Sequence, residues 1–216
     1  MNYLAHAFLA GPLSSDRVGG IAGDFVRGPL DPLPPGIGPL LGAGLVLHRR
    51  IDAYADTHPA FQRSRARVSA RRRRVGGIMV DLFYDHFLAV HWTELAKDLS
   101  GESELECFTA NTYRLIATHS EPLPPAFREV FTRMAAQDWL VSYRDPASVA
   151  LALDRIGEYR LRQPNQLKGA GEELLENYAG FEEDFMAFLP DALAFAGSVQ
   201  RGREENAGVG NRATDA

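Results

Sequence analysis

One strongly apolar segment carries ionisable residues at helical spacing, and these residues offer the clearest chemistry in the chain. Eleven of the sixteen residues at 75–90 are apolar, yet the segment includes Asp81, Asp85 and His86. Asp81 and Asp85 are four residues apart, so on a helix they share one face. Buried like charges persist only with cationic partners, shared protons or a metal ion. The segment therefore predicts either salt bridges to arginines or a metal or catalytic site.

A second predicted helix, at residues 40–56, places His48 and Asp52 on its apolar stripe. A lone histidine on such a face is more often a core residue whose hydrogen bonds are satisfied. Arg49 and Arg50 lie beside it, however, and a site that handles phosphate uses guanidinium donors next to acids and imidazoles. Both interpretations stay open for this helix.

Two weaker candidates lie nearer the start of the chain. His6 belongs to a short apolar helix, and Asp24 lies in a turn where it could simply cap a helix. Together with the two helices above, they bring histidine and aspartate to several separate elements. Such donors suit a divalent ion of the Mn, Fe or Zn type, which could lower the pKa of a bound water. An arginine could neutralise the attacked phosphate, so the combination indicates phosphoester hydrolysis.

A run of arginines follows the second helix. Residues 63–74 contain seven arginines and no acid. A solvated surface is the ordinary explanation for a charge run. If the segment is one helix, four of these arginines form a stripe that could bind nucleic acid or an acidic protein, although no aromatic stacking platform accompanies it. The stripe consists of Arg63, Arg67, Arg71 and Arg74.

The charge is unevenly distributed along a chain of net charge −5. Residues 1–100 hold 12 Lys+Arg against 9 Asp+Glu, whereas residues 101–216 hold 11 against 19. The single cysteine, Cys107, allows no intrachain disulfide, which fits a reducing cytosol. Since no run of about 18 apolar residues exists, we expect no membrane span and a cytoplasmic protein.

Apolar residues recur at helical spacing along most of the chain, whereas strand-like alternation is scarce. This pattern predicts an all-α protein, a single-domain helical bundle over residues 1–197. The start of the Pro/Gly-rich segment 28–44 should be a long loop, and the polar residues 198–216 a disordered tail. The predicted helices cover residues 2–10, 21–26, 40–56, 61–74, 75–95, 102–118, 126–141, 145–160, 171–189 and 191–196.

An ordered set of motifs over roughly residues 1–160 resembles the acyl carrier protein phosphodiesterases. The motifs include NYLAH at 2–6, GDFVRG at 23–28, HRRID at 48–52, DHFL at 85–88 and WLVSYRD at 139–145. The resemblance implies a helical fold like that of the HD phosphohydrolases. It also implies hydrolysis of the phosphodiester between 4′-phosphopantetheine and a serine of acyl carrier protein, with Mn²⁺ preferred over other divalent ions. Residues 155–163 depart from the family pattern, in which we expect paired arginines after a small residue.

The resemblance gives the candidate residues roles in an enzyme of lipid metabolism and fatty acid biosynthesis. Arg50 should stabilise developing charge, while His6 or Asp52 orients ligands or protonates the serine. The arginine stripe should dock the acidic carrier protein, with neither nucleic acid nor membrane as a partner. The segment 28–44 could line the passage for the prosthetic arm. The expected Mn²⁺ ligands are Asp24, His48, Asp85 and His86, with Asp81 adding or orienting a ligand.

Two other functions remain as alternatives. One is an HD-like phosphohydrolase that acts on nucleotides instead of a carrier protein. The other is a non-catalytic helical adaptor for an acidic protein, in which the inward acids are plain ion pairs and hold no metal ion.

Overall fold

The computed structural model describes residues 1–99 and 101–212, and every regular element in that part of the chain is helical. Two 3-10 helices, Gly23–Phe25 and Ala70–Val75, accompany twelve α-helices there, which confirms the all-α prediction. None of the described helices is long and apolar enough to cross a membrane. The α-helices are α1 Tyr3–Leu9, α2 Ser14–Ala22, α3 Pro39–Thr57, α4 Pro59–Arg67, α5 Gly76–Val90, α6 Trp92–Leu95, α7 Leu105–Ala117, α8 Pro125–Ala136, α9 Trp139–Ser142, α10 Pro146–Tyr159, α11 Glu172–Glu176 and α12 Tyr178–Arg212.

Two glycines let α2 and α3 approach each other closely. A Cβ on Gly19 would lie 2.5 Å from the Cα of Gly44, and a Cβ on Gly44 would lie 2.5 Å from the carbonyl oxygen of Ser15. Both distances are far below van der Waals contact, so the helices pack backbone against backbone. Glycine and proline commonly mark loops, so the Gly11-Pro12 and Gly19-Gly20 pairs predict a turn between them. Instead α2 runs through Gly19 and Gly20, and the glycines serve close packing.

A buried carboxylate holds the first helix. α5 packs against α1, α10 and α12, and its Asp85 faces the start of α1. The backbone N–H groups of Leu4 and Ala5 donate to Asp85 at 2.9 and 2.8 Å, and the Asn2 side chain donates at 2.8 Å. Burial raises the pKa of Asp85 to about 7, although these hydrogen bonds favour the ionised form. Because the N–H groups of a first helical turn lack intrahelical partners, this acid anchors α1 to α5.

The basic segment is not the single helix that its composition predicted. α4 ends at Arg67, Val68 is extended, and a 3-10 helix covers Ala70–Val75. The spacing of the four stripe arginines therefore does not place them on one helical face. Arg63 and Arg67 belong to α4, whereas the other two belong to the 3-10 helix.

The last helix continues where a disordered tail was predicted from residue 198. α12 runs from Tyr178 to Arg212 and includes Pro190. Arg203 donates to the buried Asp16 at 2.9 Å, and Gln200 donates to the Ala10 carbonyl oxygen at 2.7 Å. The polar residues that suggested disorder thus satisfy buried groups near the start of the chain. Residues 213–216 of the predicted tail lie outside the described residues.

Replacing Gly19 with alanine should lower the free energy of unfolding by about 1–3 kcal/mol, the usual result of overpacking. The new methyl group would overlap the backbone of Gly44. Gly202→Ala is the matched control, because Gly202 is also helical and a Cβ there would meet no atom within 4 Å. Urea unfolding followed by circular dichroism measures both variants. Equal stability of Gly19→Ala and the wild-type protein would contradict the close backbone contact.

Candidate metal centre and its cavity

Three side chains from two helices form a compact donor cluster. His6, His48 and Asp52 each offer one ligand atom, and these atoms lie within 4.8 Å of one another. The Nε2 of His6 lies 3.0 Å from Oδ1 of Asp52, and the Nε2 of His48 lies 3.1 Å from its Oδ2. The two imidazole rings stack with their centroids 3.9 Å apart. Two imidazole nitrogens and a carboxylate are a donor set that fits a divalent metal ion.

The backbone of the α2 segment orients His48. Its Nδ1 donates to the carbonyl oxygen of Gly20 at 2.8 Å, so its Nε2 faces the cluster. A Cβ on Gly23 would overlap the His48 ring, so no side chain fits at that position. Histidines that bind metal ions commonly donate their second N–H to a carbonyl in this way.

The three ionisable groups of the cluster have pKa values shifted in different directions. Burial lowers the pKa of His6 to about 4, and the nearby His48 adds to this effect. Burial also lowers the pKa of His48, but the nearby carboxylates of Asp24 and Asp52 outweigh it and raise the pKa to about 9. Burial raises the pKa of Asp52, but His6, the Met1 amine and His48 together hold it well below its usual range. A neutral His6 is ready to ligate a metal ion, whereas His48 must first lose its proton.

Asp24 and Asp81 lie beside the cluster. Oδ1 of Asp24 is 3.6 Å from Nε2 of His48, and this carboxylate is 43% exposed. Oδ1 of Asp81 is 3.0 Å from the Met1 amine, which also contacts Asp52 at 2.8 Å. Burial raises the pKa of Asp81, although the Met1 amine opposes this shift. Asp24 and Asp81 therefore lie next to the cluster, but neither is one of its three donors.

The cluster adjoins a cavity of about 410 Å³, which is within the size range of small-molecule sites. No residue of the segment 28–44, which was expected along the passage for the arm, lines this cavity. The charged lining residues are Asp24, Arg27, Asp52, Asp56, Asp81 and Arg160. The larger apolar lining residues are Met1, Phe61, Ile78, Leu82, Ile156 and Leu161.

Two of the predicted metal ligands, Asp85 and His86, lie outside the cluster. Asp85 accepts the hydrogen bonds that anchor α1. The Nδ1 of His86 donates to the Tyr143 carbonyl oxygen at 2.8 Å, and its Nε2 lies 3.0 Å from the Tyr178 hydroxyl. The structure therefore places both residues where they join helices, outside the three-donor cluster. Their spacing could not reveal this, because a buried polar side chain serves either purpose.

Arg50, which was predicted to stabilise the charge that develops on phosphate, lies away from the cavity. Arg50 is exposed to solvent instead. Its neighbour Arg49 donates to two backbone carbonyl oxygens within residues 26–28, at 2.6 and 2.9 Å. The arginines that do line the cavity are Arg27 and Arg160. Arg27 belongs to a motif that carried the family resemblance, whereas no pattern singled out Arg160.

The four arginines predicted to dock a partner divide into two pairs. Arg63 and Arg67 donate through Nε to Asp184 at 2.7 and 2.8 Å. Asp184 is only 1% exposed, and a buried carboxylate requires such partners. Arg71 and Arg74 are exposed in the 3-10 helix. Arg63 and Arg67 therefore stabilise a buried carboxylate, a role that their spacing did not indicate.

The fold is all-α, and a His–His–Asp cluster lies beside a cavity of small-molecule size. Together these features define a class of helical protein with a candidate metal centre for hydrolysis. A family model described as acyl carrier protein phosphodiesterase matches residues 1–192. The chain belongs to the acyl carrier protein phosphodiesterase family, and is thus a hydrolase.

Individual relatives agree with this assignment. Proteins named acyl carrier protein phosphodiesterase from Escherichia coli O157:H7 and Serratia proteamaculans strain 568 are each 34% identical to this chain. The alignments cover 91% and 93% of this chain and 97% and 100% of those proteins. No solved structure shows significant similarity to the chain.

Substitutions can separate the anchoring acid from the metal donors. Asp85→Asn should lower the free energy of unfolding by about 1–3 kcal/mol, because an amide nitrogen cannot accept the N–H groups of α1. It should leave the Mn²⁺ content of the folded protein unchanged. His48→Gln should remove most of the bound Mn²⁺, as measured by elemental mass spectrometry after gel filtration.

His91→Gln is the control, since its ring contacts Glu182 at 2.7 Å and does not line the cavity. It should keep the metal ion. A folded Asp85→Asn protein without metal would restore Asp85 to the ligand set.

Proposed function

We propose that this chain hydrolyses the phosphodiester linking 4′-phosphopantetheine to a serine of acyl carrier protein, giving apo carrier protein and free 4′-phosphopantetheine. The names of its relatives supply the substrate class. The observation that carries the reaction type is the His6–His48–Asp52 cluster beside a cavity lined by acids and arginines. Neither the nucleotide alternative nor the adaptor alternative has comparable support.

The proposed cofactor is a divalent metal ion, Mn²⁺ by preference, held by His6, His48 and Asp52 with Asp24 as a fourth donor. A bound divalent ion would supply Lewis acidity, which lowers the pKa of water and neutralises phosphate charge. The position of the His48 imidazole between two carboxylates supports Asp24 as the fourth donor. Asp24, Asp52 and Asp81 line the cavity, and a divalent cation beside them would reduce their repulsion of an anionic phosphodiester beyond what the Met1 amine provides.

The reaction also needs a residue that moves a proton. Hydrolysis forms a bond from a water oxygen to phosphorus and breaks the bond to the serine oxygen, which gains a proton. We assign the transfer of this proton to Asp81, which lines the cavity. Burial raises its pKa, although the Met1 amine opposes this, and a raised pKa makes a carboxyl a better proton carrier. His6 or Asp52 was expected to orient ligands or to protonate the serine, and in this proposal both act as metal donors.

The proposed docking surface for the carrier protein is centred on Arg71 and Arg74. Both are exposed in the 3-10 helix that leads into α5, whose residues Gly77 and Ile78 line the cavity. Positive charge at this place complements an acidic carrier protein and would guide its approach. Arg63 contributes to the same field, because its side chain remains 53% exposed beside Asp184.

The wider setting follows from the substrate. We propose a cytoplasmic enzyme of lipid metabolism and fatty acid biosynthesis, without nucleic acid or membrane partners. The absence of a second cysteine supports a reducing compartment. Histidine and aspartate donors on separate helices support a relation to the HD phosphohydrolases.

Mass spectrometry of holo carrier protein incubated with the purified chain and Mn²⁺ tests the reaction. The carrier protein should lose the mass of phosphopantetheine. Asp52→Asn should slow this loss by about 100-fold or more, since even residues that only hydrogen-bond to metal ligands contribute about 10–100-fold. His91→Gln should keep the wild-type rate.

A panel of nucleotides tested in parallel distinguishes the alternatives. Hydrolysis of nucleotides with holo carrier protein left intact would favour the nucleotide phosphohydrolase. If the protein binds no metal ion and leaves every substrate intact, the adaptor function becomes the better explanation.

Charge reversal tests the docking surface. Together, Arg71→Glu and Arg74→Glu should lower kcat/KM for carrier protein by about tenfold at low salt, since each surface ion pair contributes up to about 1 kcal/mol. The variant should also respond less to added salt, which screens the remaining attraction. Arg128→Glu with Arg133→Glu makes the same charge change on exposed residues of α8 and should have little effect. Equal losses in the two double variants would indicate a general charge effect instead of docking.

A further inference from the structure

Arg160 lines the cavity and is held by the same elements that carry the metal donors. Its Nη1 donates to the Tyr3 hydroxyl at 3.0 Å, and its Cζ lies 5.0 Å from the centroid of the Phe25 ring. Tyr3 lies in α1 with His6, and Phe25 directly follows Asp24. A hydroxyl and an aromatic face thus restrict the orientation of the guanidinium group.

Arg160 is not held in a close ion pair by the side chains that the structure describes. Among those of residues 1–99, 101–203 and 205, no carboxylate oxygen lies within 4.0 Å of its guanidinium nitrogens, and its side-chain hydrogen bond goes to Tyr3. Burial acts to raise the pKa of Asp24, but His48 lowers it, and the charge of Arg160 contributes from a longer distance. Arg63, Arg67 and Arg72 are instead paired with buried acids. A guanidinium group has five N–H donors, so most donors of Arg160 remain for a ligand.

The cavity also has room for the rest of a ligand. Gly77 lines it, and a Cβ at this residue would meet no atom within 4 Å. Phe61, Ile78 and Leu82 supply apolar surface in the same cavity. A ligand with a phosphate at one end and a less polar chain beyond it therefore matches the lining.

We propose that Arg160 binds the phosphate group of the substrate and of the released phosphomonoester. Its planar fork suits two phosphate oxygens at once, which a lysine cannot match. Arg27, which lines the same cavity, adds positive charge to this phosphate site. The inference rests on the proposed function, since that function supplies the phosphate. The inference assigns to Arg160 the phosphate contact that was predicted for Arg50, which lies more than a hundred residues earlier in the chain.

Calorimetric titration of the full chain with 4′-phosphopantetheine and with pantetheine, which lacks the phosphate, tests this proposal. Arg160→Ala should weaken binding of the phosphorylated ligand by about tenfold or more, as expected when hydrogen bonds to a charged group are lost. It should not change the binding of pantetheine. Arg160→Lys should recover part of the affinity, because it keeps the charge without the fork. Thermal unfolding checks that each variant is folded.

Arg155→Ala is the matched control, because Arg155 is exposed on α10 and does not line the cavity. It should bind both ligands as the wild-type protein does. Equal affinity of Arg160→Ala and the wild-type protein for 4′-phosphopantetheine would overturn the proposal, as would an equal loss for both ligands.

The same titrations separate this proposal from the proposed function. If the wild-type protein releases phosphopantetheine from holo carrier protein but Arg160→Ala binds the product normally, only the phosphate site is wrong. If the phosphate-specific loss occurs but holo carrier protein stays intact, Arg160 is a phosphate ligand and the assigned substrate is wrong.

Discussion

The close contact between the backbones of α2 and α3 sets the position of the site. Because Gly19 and Gly44 let these helices touch, His48 reaches the carbonyl oxygen of Gly20 and fits against Gly23. Its second nitrogen then faces Asp52, one turn further along α3. If the two helices were further apart, the His48 imidazole would lose its hydrogen bond to the Gly20 carbonyl oxygen, even with every donor residue unchanged. Backbone packing thus fixes the geometry that the donor residues use.

Buried acids serve two distinct purposes in this protein, and their partners distinguish them. Asp85, Asp16 and Asp184 each join elements that are distant in sequence, through hydrogen bonds or ion pairs with the chain itself. Asp52 also has partners, but it lines the cavity and is 38% exposed. The structural acids are held by partners within the chain, whereas in the proposed site Asp52 would exchange its cationic partners for a metal ion.

Periodicity predicted most of the helices, and local chemistry predicted some of their ends. An Asp-Pro pair is a typical helix start, and α10 begins at Pro146 with Asp145 as its cap, within the helix predicted over residues 145–160. The presence of a His/Asp site was predictable too, because His48 and Asp52 share an apolar helix face. Which residues serve as donors was not predictable, because helical spacing shows which residues share a face but not what that face packs against. Asp85 faces a helix terminus and Asp52 faces a cavity, yet both looked alike in sequence.

The pairing of Asp16 with Arg203 also has a consequence for synthesis of the chain. These residues are 187 positions apart, so the contact forms only after Arg203 has left the ribosome. Until then α2 carries a carboxylate whose final partner has not yet been synthesised, beside the glycines that set the position of the site. The surroundings of α2 therefore reach their final form only after most of α12 has emerged.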